Sequence, residues 1–156
     1  MVVHRISGVP ELNVVGFALL LNYPWEFLQV PFFAGMAEAA HWDAIVFCSR
    51  AAVGDVGIAL LAFWSVAAMA RDRRWVVKPS VRQRVGFVSI GLFATIILEW
   101  LATEVWSRWT YAPFMPRLPL LGTGALPLLH WIVLPPILLW IVRRQILGST
   151  PGSEAS

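Results

Sequence analysis

Charge and cysteine are scarce in this chain. Of its 156 residues only 13% are charged, about half the share usual in a soluble globular domain, and Cys48 is the sole cysteine. One cysteine excludes an internal disulfide, a CxxC redox pair and a thiolate zinc cluster, so thiol oxidoreductase chemistry within one chain is out. Cys48 itself reads as a small buried hydrophobe. Heptads, tandem repeats and a convincing inverted repeat are missing too, which leaves a two-halves transporter architecture without support. No nucleic-acid motif accompanies the net charge of +3 and the pI near 9.8, and nucleic acid is not an expected partner. There is no HxxxH or comparable ligand pair, and His41 falls in a connection. No metal and no cofactor are therefore expected.

What is abundant is apolar sequence: 58% of residues are hydrophobic and the mean hydropathy is +0.70. At roughly 20 apolar residues per crossing, the chain holds a single membrane domain, 1–147, with crossings predicted at about 12–33, 44–70, 85–106 and 126–142, and a small polar tail, 148–156, expected to be disordered. The expected fold is an all-α integral membrane four-helix bundle. His4 and Arg5 before the apolar run of 14–21, with Ala37-Glu38-Ala39 further on, imitate a signal peptide. The run continues through Trp25, Phe27, Val30 and Phe33, too long for an h-region, and contains Glu26.

Orientation follows from the basic residues. The segment 71–84 carries Arg71, Arg73, Arg74, Lys78, Arg82 and Arg84 against one acid, Asp72. By the positive-inside rule it is cytoplasmic, and so are both termini. Arg5 before the first crossing and Arg143-Arg144 after the last agree. The outer connections are then 34–43 and 107–125, the second stiffened by Pro113, Pro116 and Pro119 and bearing Trp109 and Tyr111 at the interfacial aromatic belt.

Ionisable groups at membrane depth are costly and mark function by default. Glu26, Asp55 and Glu99 lie inside apolar crossings, and His130 opens the last one. At a rise of 1.5 Å per residue, Glu26, Arg50 and Glu99 each fall roughly 10 Å below the outer surface, with Asp55 near 17 Å and His130 shallower. Residues three or four apart share a helix face, so Asn22, Glu26 and Gln29 make one polar stripe and Thr95, Glu99 and Thr103 another. Arg50 and Asp55, about 140° apart, are expected to face different ways, one of them toward a neighbouring helix or a second protomer. A homo-oligomer is thus one expectation. Pro24 beside Asn22 and Glu26, and Pro135-Pro136 beyond His130, interrupt helical hydrogen bonding and suggest a cavity. The competing expectation is a buried Glu26–Arg50 ion pair that merely fixes register.

A desolvated carboxylic acid resists ionisation and can serve as a general acid. Glu26 is the expected acid, and Asp55 or Glu99 its catalytic partner. Asn22, Trp25, Arg50, His130, Trp109 and Tyr111 are the expected substrate-binding groups. The stretch Asn22-Tyr23-Pro24-Trp25-Glu26-Phe27 resembles the Asn-x-x-Trp-Glu-Phe element of small integral-membrane terpene cyclases of the fungal meroterpenoid type. That resemblance covers about six residues of 156, and the family has more crossings. It implies metal-free protonation of an isoprenoid by Glu26. With Trp109-Thr110-Tyr111 and the stretch 118–136, the whole chain also resembles small four-span bacterial membrane proteins of unassigned activity, which implies the bacterial cytoplasmic (inner) membrane. Trp109-Thr110-Tyr111 is similar as well to membrane lycopene cyclase domains, whose Pro-x-Glu-Glu motif this chain does not contain.

The leading expectation is a membrane enzyme acting on a lipid or isoprenoid by acid-initiated, cyclase-like or isomerase-like chemistry. Its partners are the lipid bilayer and a hydrophobic small-molecule substrate. A small carrier, ion-conducting or metal-handling protein is the main alternative, and a non-catalytic assembly partner the third.

Overall fold

A computed structural model describes residues 8–119 and 122–149. The expectations resting on His4 and Arg5, and on the tail from Thr150 onward, lie outside the described residues. Within them the chain is all-helical, with no strand: α1 Pro10–Gln29, α2 His41–Ala70, α3 Val81–Trp100 and α4 Ala125–Gly148. α2, α4 and α3 with its continuation to Val105 are each long and apolar enough to cross a membrane. α1 is not among these, because Asn13, Asn22, Glu26 and Gln29 dilute its hydropathy.

Local chemistry sets the ends. Pro10 sits in the first turn of α1, where its missing N–H costs nothing, and Glu11 beside it favours the positive end of the helix dipole. Ser80 and Gln83 form a reciprocal capping box at the start of α3. α2 ends on Arg71 in the left-handed region (φ 52°), whose N–H reaches back to the carbonyls of Ala67 and Ala68. α3 does not stop at Trp100 but widens into a π-helical turn, Leu101–Val105, a distortion that recurs at functional sites. α1 continues through Pro24 and α4 through Pro135-Pro136. The first apolar segment is helical only to Gln29. It closes with a 3-10 turn over Val30–Phe32, where Pro31 fits the tighter geometry.

The helices run alternately up and down, each packed on its chain neighbours, with α4 closing against α1. At one end Arg73 of the α2–α3 connection pairs with Glu11 at 2.7 Å, and Arg143 Nε donates to the Val77 carbonyl. At the other end the two remaining connections are stitched together: Ala34 N–H donates to Thr110 O and Ala112 N–H to Phe32 O, both at 2.9 Å.

The two halves of the bundle differ in packing. Toward the Arg73 end the interior is solid, built on a run of rings Phe63–Trp75–Phe87–Trp131 with centroids 5.6, 6.0 and 6.3 Å apart. Here α3 and α4 approach so closely that a Cβ on Gly91 would overlap ring carbons of Trp131. Toward the stitched end the interior is hollow. Meanwhile Leu20, Leu28, Val53, Leu61, Trp64, Phe93, Ile132 and Trp140 point outward, an apolar exterior suited to lipid rather than water.

Candidate functional site

The hollow half holds a cavity of about 550 Å³, within the range of small-molecule sites. Glu26 and Gln29 of α1, Arg50, Ala51, Gly54 and Asp55 of α2, Thr95 and Glu99 of α3, and His130 of α4 all line it. Phe33, Phe47, Trp106 and Trp109 supply aromatic walls. The carboxylates from three separate helices thus face one space. Its exposed lining residues, Arg50, Gly54, Leu98, Trp106 and Arg108, lie on α2, on α3 and just beyond its end, so the mouth opens between α2 and the end of α3.

The most tightly gathered groups are Glu26, Asp55 and His130. One ligand atom from each lies within 4.8 Å of the others. His130 is held from both sides. Its Nε2 is 2.8 Å from Asn22 Oδ1, and the indole of Trp25 stacks on its ring at 5.6 Å between centroids and 23° between planes. An amide oxygen only accepts, so Nε2 carries the ring hydrogen and Nδ1 presents a bare lone pair. That lone pair faces Asp55 Oδ2 at 3.7 Å, beyond hydrogen-bonding distance. Glu26 is oriented in turn by Gln29, whose Nε2 donates to Glu26 Oε2 at 2.8 Å.

Glu99 forms the second polar centre. It accepts a hydrogen bond from the Tyr111 hydroxyl, and the stitched connections hold that tyrosine in place through the Phe33–Tyr111 bridge. Burial first, and the Glu99 charge second, push the Tyr111 phenol above its ordinary pKa, so it stays a donor. The Arg117 guanidinium caps the same ring at 5.1 Å. Trp109 lines the cavity and meets Phe33 and Phe47 edge-on.

Several sequence-based expectations are modified. Arg50 forms no ion pair with Glu26; among the described residues the ion pair between full charges is Arg73–Glu11. Arg50 and Asp55 line the same cavity despite their angular separation, and so do Ala51 and Gly54, so the cavity spans a broad arc of α2. His130, expected nearer the surface, is buried against Asn22 and Asp55. Thr103 is not on the cavity lining, and its hydroxyl donates to the Glu99 carbonyl one turn back.

Asn22, Trp25 and Tyr111 stand one contact behind the cavity wall, on His130 and Glu99. The clustering of Glu26, Asp55 and His130 at cation-binding separations was not legible, because one ligand comes from each of three helices and no sequence spacing records it. Two side-chain oxygens on the lining are buried without a hydrogen-bond partner, Gln29 Oε1 and Thr95 Oγ1. Comparison with known proteins supplies no precedent for this arrangement: no protein-family model, curated protein or solved structure matches the chain.

Proposed function

We propose that this protein is an integral membrane enzyme that binds an apolar lipid-class substrate, isoprenoids included, in the 550 Å³ cavity and acts on it by acid-initiated chemistry. The observation that carries the reading is the shared cavity. Carboxyl groups stand on its α1 and α2 wall beside the His130 ring of α4, a further carboxylate on its α3 wall, and aromatic faces lie between them. Glu26 and Asp55 are the acid, with the His130 ring beside them. Glu99, fixed by Tyr111, is the counter-charge for positive charge that develops in the substrate, and the faces of Phe33, Phe47, Trp106 and Trp109 are attracted to the same charge. Water exclusion by these rings strengthens each electrostatic contact.

The topology that fits has four crossings, α1 included, with both termini and the Arg71–Arg84 segment on the cytoplasmic side of a bacterial inner membrane. α1 is long enough at 20 residues, and its polar groups are buried while Leu12, Leu19, Leu20, Phe27 and Leu28 face outward. The cavity mouth then opens sideways in the outer half of the bilayer, where a lipid substrate resides. Cysteines introduced as Ala37→Cys and Lys78→Cys in a Cys48→Ala background test this with an impermeant maleimide. Position 37 labels in intact cells and position 78 only after lysis; the reverse pattern overturns the orientation.

The enzyme reading is tested in vesicles supplied with fractionated lipid extracts, with products followed by mass spectrometry. Glu26→Gln and Asp55→Asn should accumulate and elute as the parent does yet form no product. Undiminished turnover in either variant removes the carboxylates from the chemistry. Substrate movement across the vesicle without chemical change would favour the carrier instead.

A further inference from the structure

We propose that Glu26, Asp55 and His130 form a three-ligand site for a divalent transition ion of the zinc type, with an open coordination position facing the cavity. The proposal rests on the enzyme reading in one respect only: there, the acid that starts the reaction is the ion, polarising an oxygen of the lipid substrate. The substrate is thereby narrowed to a lipid carrying a carbonyl, ester or epoxide oxygen at the end that enters first.

The orientation of His130 is the first support. With its hydrogen fixed on Nε2 by the Asn22 oxygen, the bare Nδ1 and Asp55 Oδ2 are two electron-pair donors facing each other at 3.7 Å. Two such atoms repel unless something positive lies between them. Tetrahedral ligand atoms at about 2.0–2.2 Å from a zinc ion stand roughly 3.3–3.6 Å apart, close to this spacing. Glu26 brings a second carboxylate within 4.8 Å of both, so that three helices supply one ligand atom each.

The surroundings are the second support. Ligating histidines almost always donate their other ring N–H to a fixed acceptor, and ligating carboxylates are themselves hydrogen-bonded. Asn22 does the first here and Gln29 the second. The donor set of one imidazole and two carboxylates suits zinc, iron or manganese and disfavours calcium and magnesium, which take oxygen alone. Three protein ligands with a fourth place open is the arrangement of catalytic rather than structural zinc.

The unpartnered oxygens on the lining are the third support. Gln29 Oε1 and Thr95 Oγ1 are buried within residues 6% and 5% exposed and have no hydrogen-bond partner. Both lie on the wall of the cavity that the open position faces. A water or substrate oxygen on the ion is the kind of group that would satisfy them.

The full chain, purified with a histidine-free tag and without chelators, should carry about one zinc per chain by elemental analysis. The stripped protein should regain it from added zinc in competition with a chromogenic chelator. His130→Asn, Glu26→Gln and Asp55→Asn should each weaken zinc binding by about 100-fold or more, and Asn22→Leu by about 10–100-fold. Glu99→Gln should bind zinc as the parent does while losing turnover. Cobalt in place of zinc should give the parent a strong visible absorption, which decides the matter without any variant should the substitutions fail to fold. No zinc uptake by the parent at about millimolar ion, together with a cobalt spectrum no different from free cobalt, overturns the site. Loss of zinc in Glu99→Gln overturns the three-ligand assignment. Zinc bound without turnover leaves the site standing and removes the enzyme reading. Turnover by fully zinc-free protein removes the ion and returns the acid to the carboxyl pair.

Discussion

Gly54→Leu separates stability from function because the structure predicts opposite signs for the two. Gly54 lies in the interior of α2 and lines the cavity, and a Cβ added there meets no atom within 4 Å. Replacing a mid-helix glycine with leucine relieves a propensity penalty of about 0.5–1 kcal/mol, which for a chain of this size raises the melting temperature by roughly 1–4 °C. The four added carbons, each displacing on the order of a water's ~30 Å³, take roughly a fifth of the 550 Å³ cavity beside Asp55. Turnover of the lipid substrate should fall about 100-fold, the scale of loss from a misplaced reacting centre. Gly57→Leu is the matched control: one turn on, equally free of neighbours and off the cavity lining, it should gain the same stability and keep its turnover. The assay pairs a fixed-rate thermal melt in detergent with product formation in vesicles. A Gly54→Leu protein that melts at or above the parent yet turns over within about two-fold of it would show that the substrate does not sit in this cavity.

Two further outcomes follow from the same geometry. Gly91→Ala drives a methyl into the Trp131 ring, which is 2% exposed and hemmed in by Phe87. It should destabilise by about 1–3 kcal/mol, and Trp131→Leu in the same chain should recover most of the loss; a single variant melting with the parent refutes the close packing of α3 on α4. The Tyr111 phenol, raised by burial and by Glu99, keeps a proton that the unfolded chain releases near pH 10. Its contribution to stability is therefore complete below pH 10 and is lost as pH climbs beyond it. Tyr23→Phe leaves Tyr111 as the sole tyrosine, and its ultraviolet titration should show no tyrosinate at the pH where an ordinary tyrosine is half ionised. A midpoint near 10 overturns the burial of that hydroxyl against Glu99.

How much of this was legible in the sequence depends on whether the signal was local. Apolar runs and their polar stripes are periodic, so the helices and the shared face of Asn22, Glu26 and Gln29 can be read directly; all three are buried in the bundle. The end of α1 cannot, because hydropathy runs on through Val30 and Phe33 while Pro31 and the pairing of Phe33 with Tyr111 stop the helix. The π-helical turn after Glu99 leaves no mark in composition. Arg50 misleads for a different reason. Angular spacing on a helix separates two positions, but a cavity wide enough to take in Arg50, Ala51, Gly54 and Asp55 is lined from both of those faces. His130 is undervalued by sequence because its meaning comes from Asn22, 108 residues away.

α1 makes the point that connects composition to function. By hydropathy it reads least like a crossing of the four helices, and the residues that lower its score, Asn13, Asn22, Glu26 and Gln29, are all buried. Were those groups distributed around the helix, some would face lipid at several kcal/mol each and the segment would not stay in a bilayer. Asn13 bonds the Val9 carbonyl near the start of the helix, and the other three, gathered on one face, cost little, since Glu26 is answered by Gln29 and Asn22 by His130, while Leu19, Leu20, Phe27 and Leu28 are exposed. The same asymmetry that makes the helix a poor scorer makes it a wall of the cavity. The half built on Phe63, Trp75, Phe87 and Trp131 packs solidly, whereas the half into which Glu26 and Gln29 of α1 face encloses the cavity.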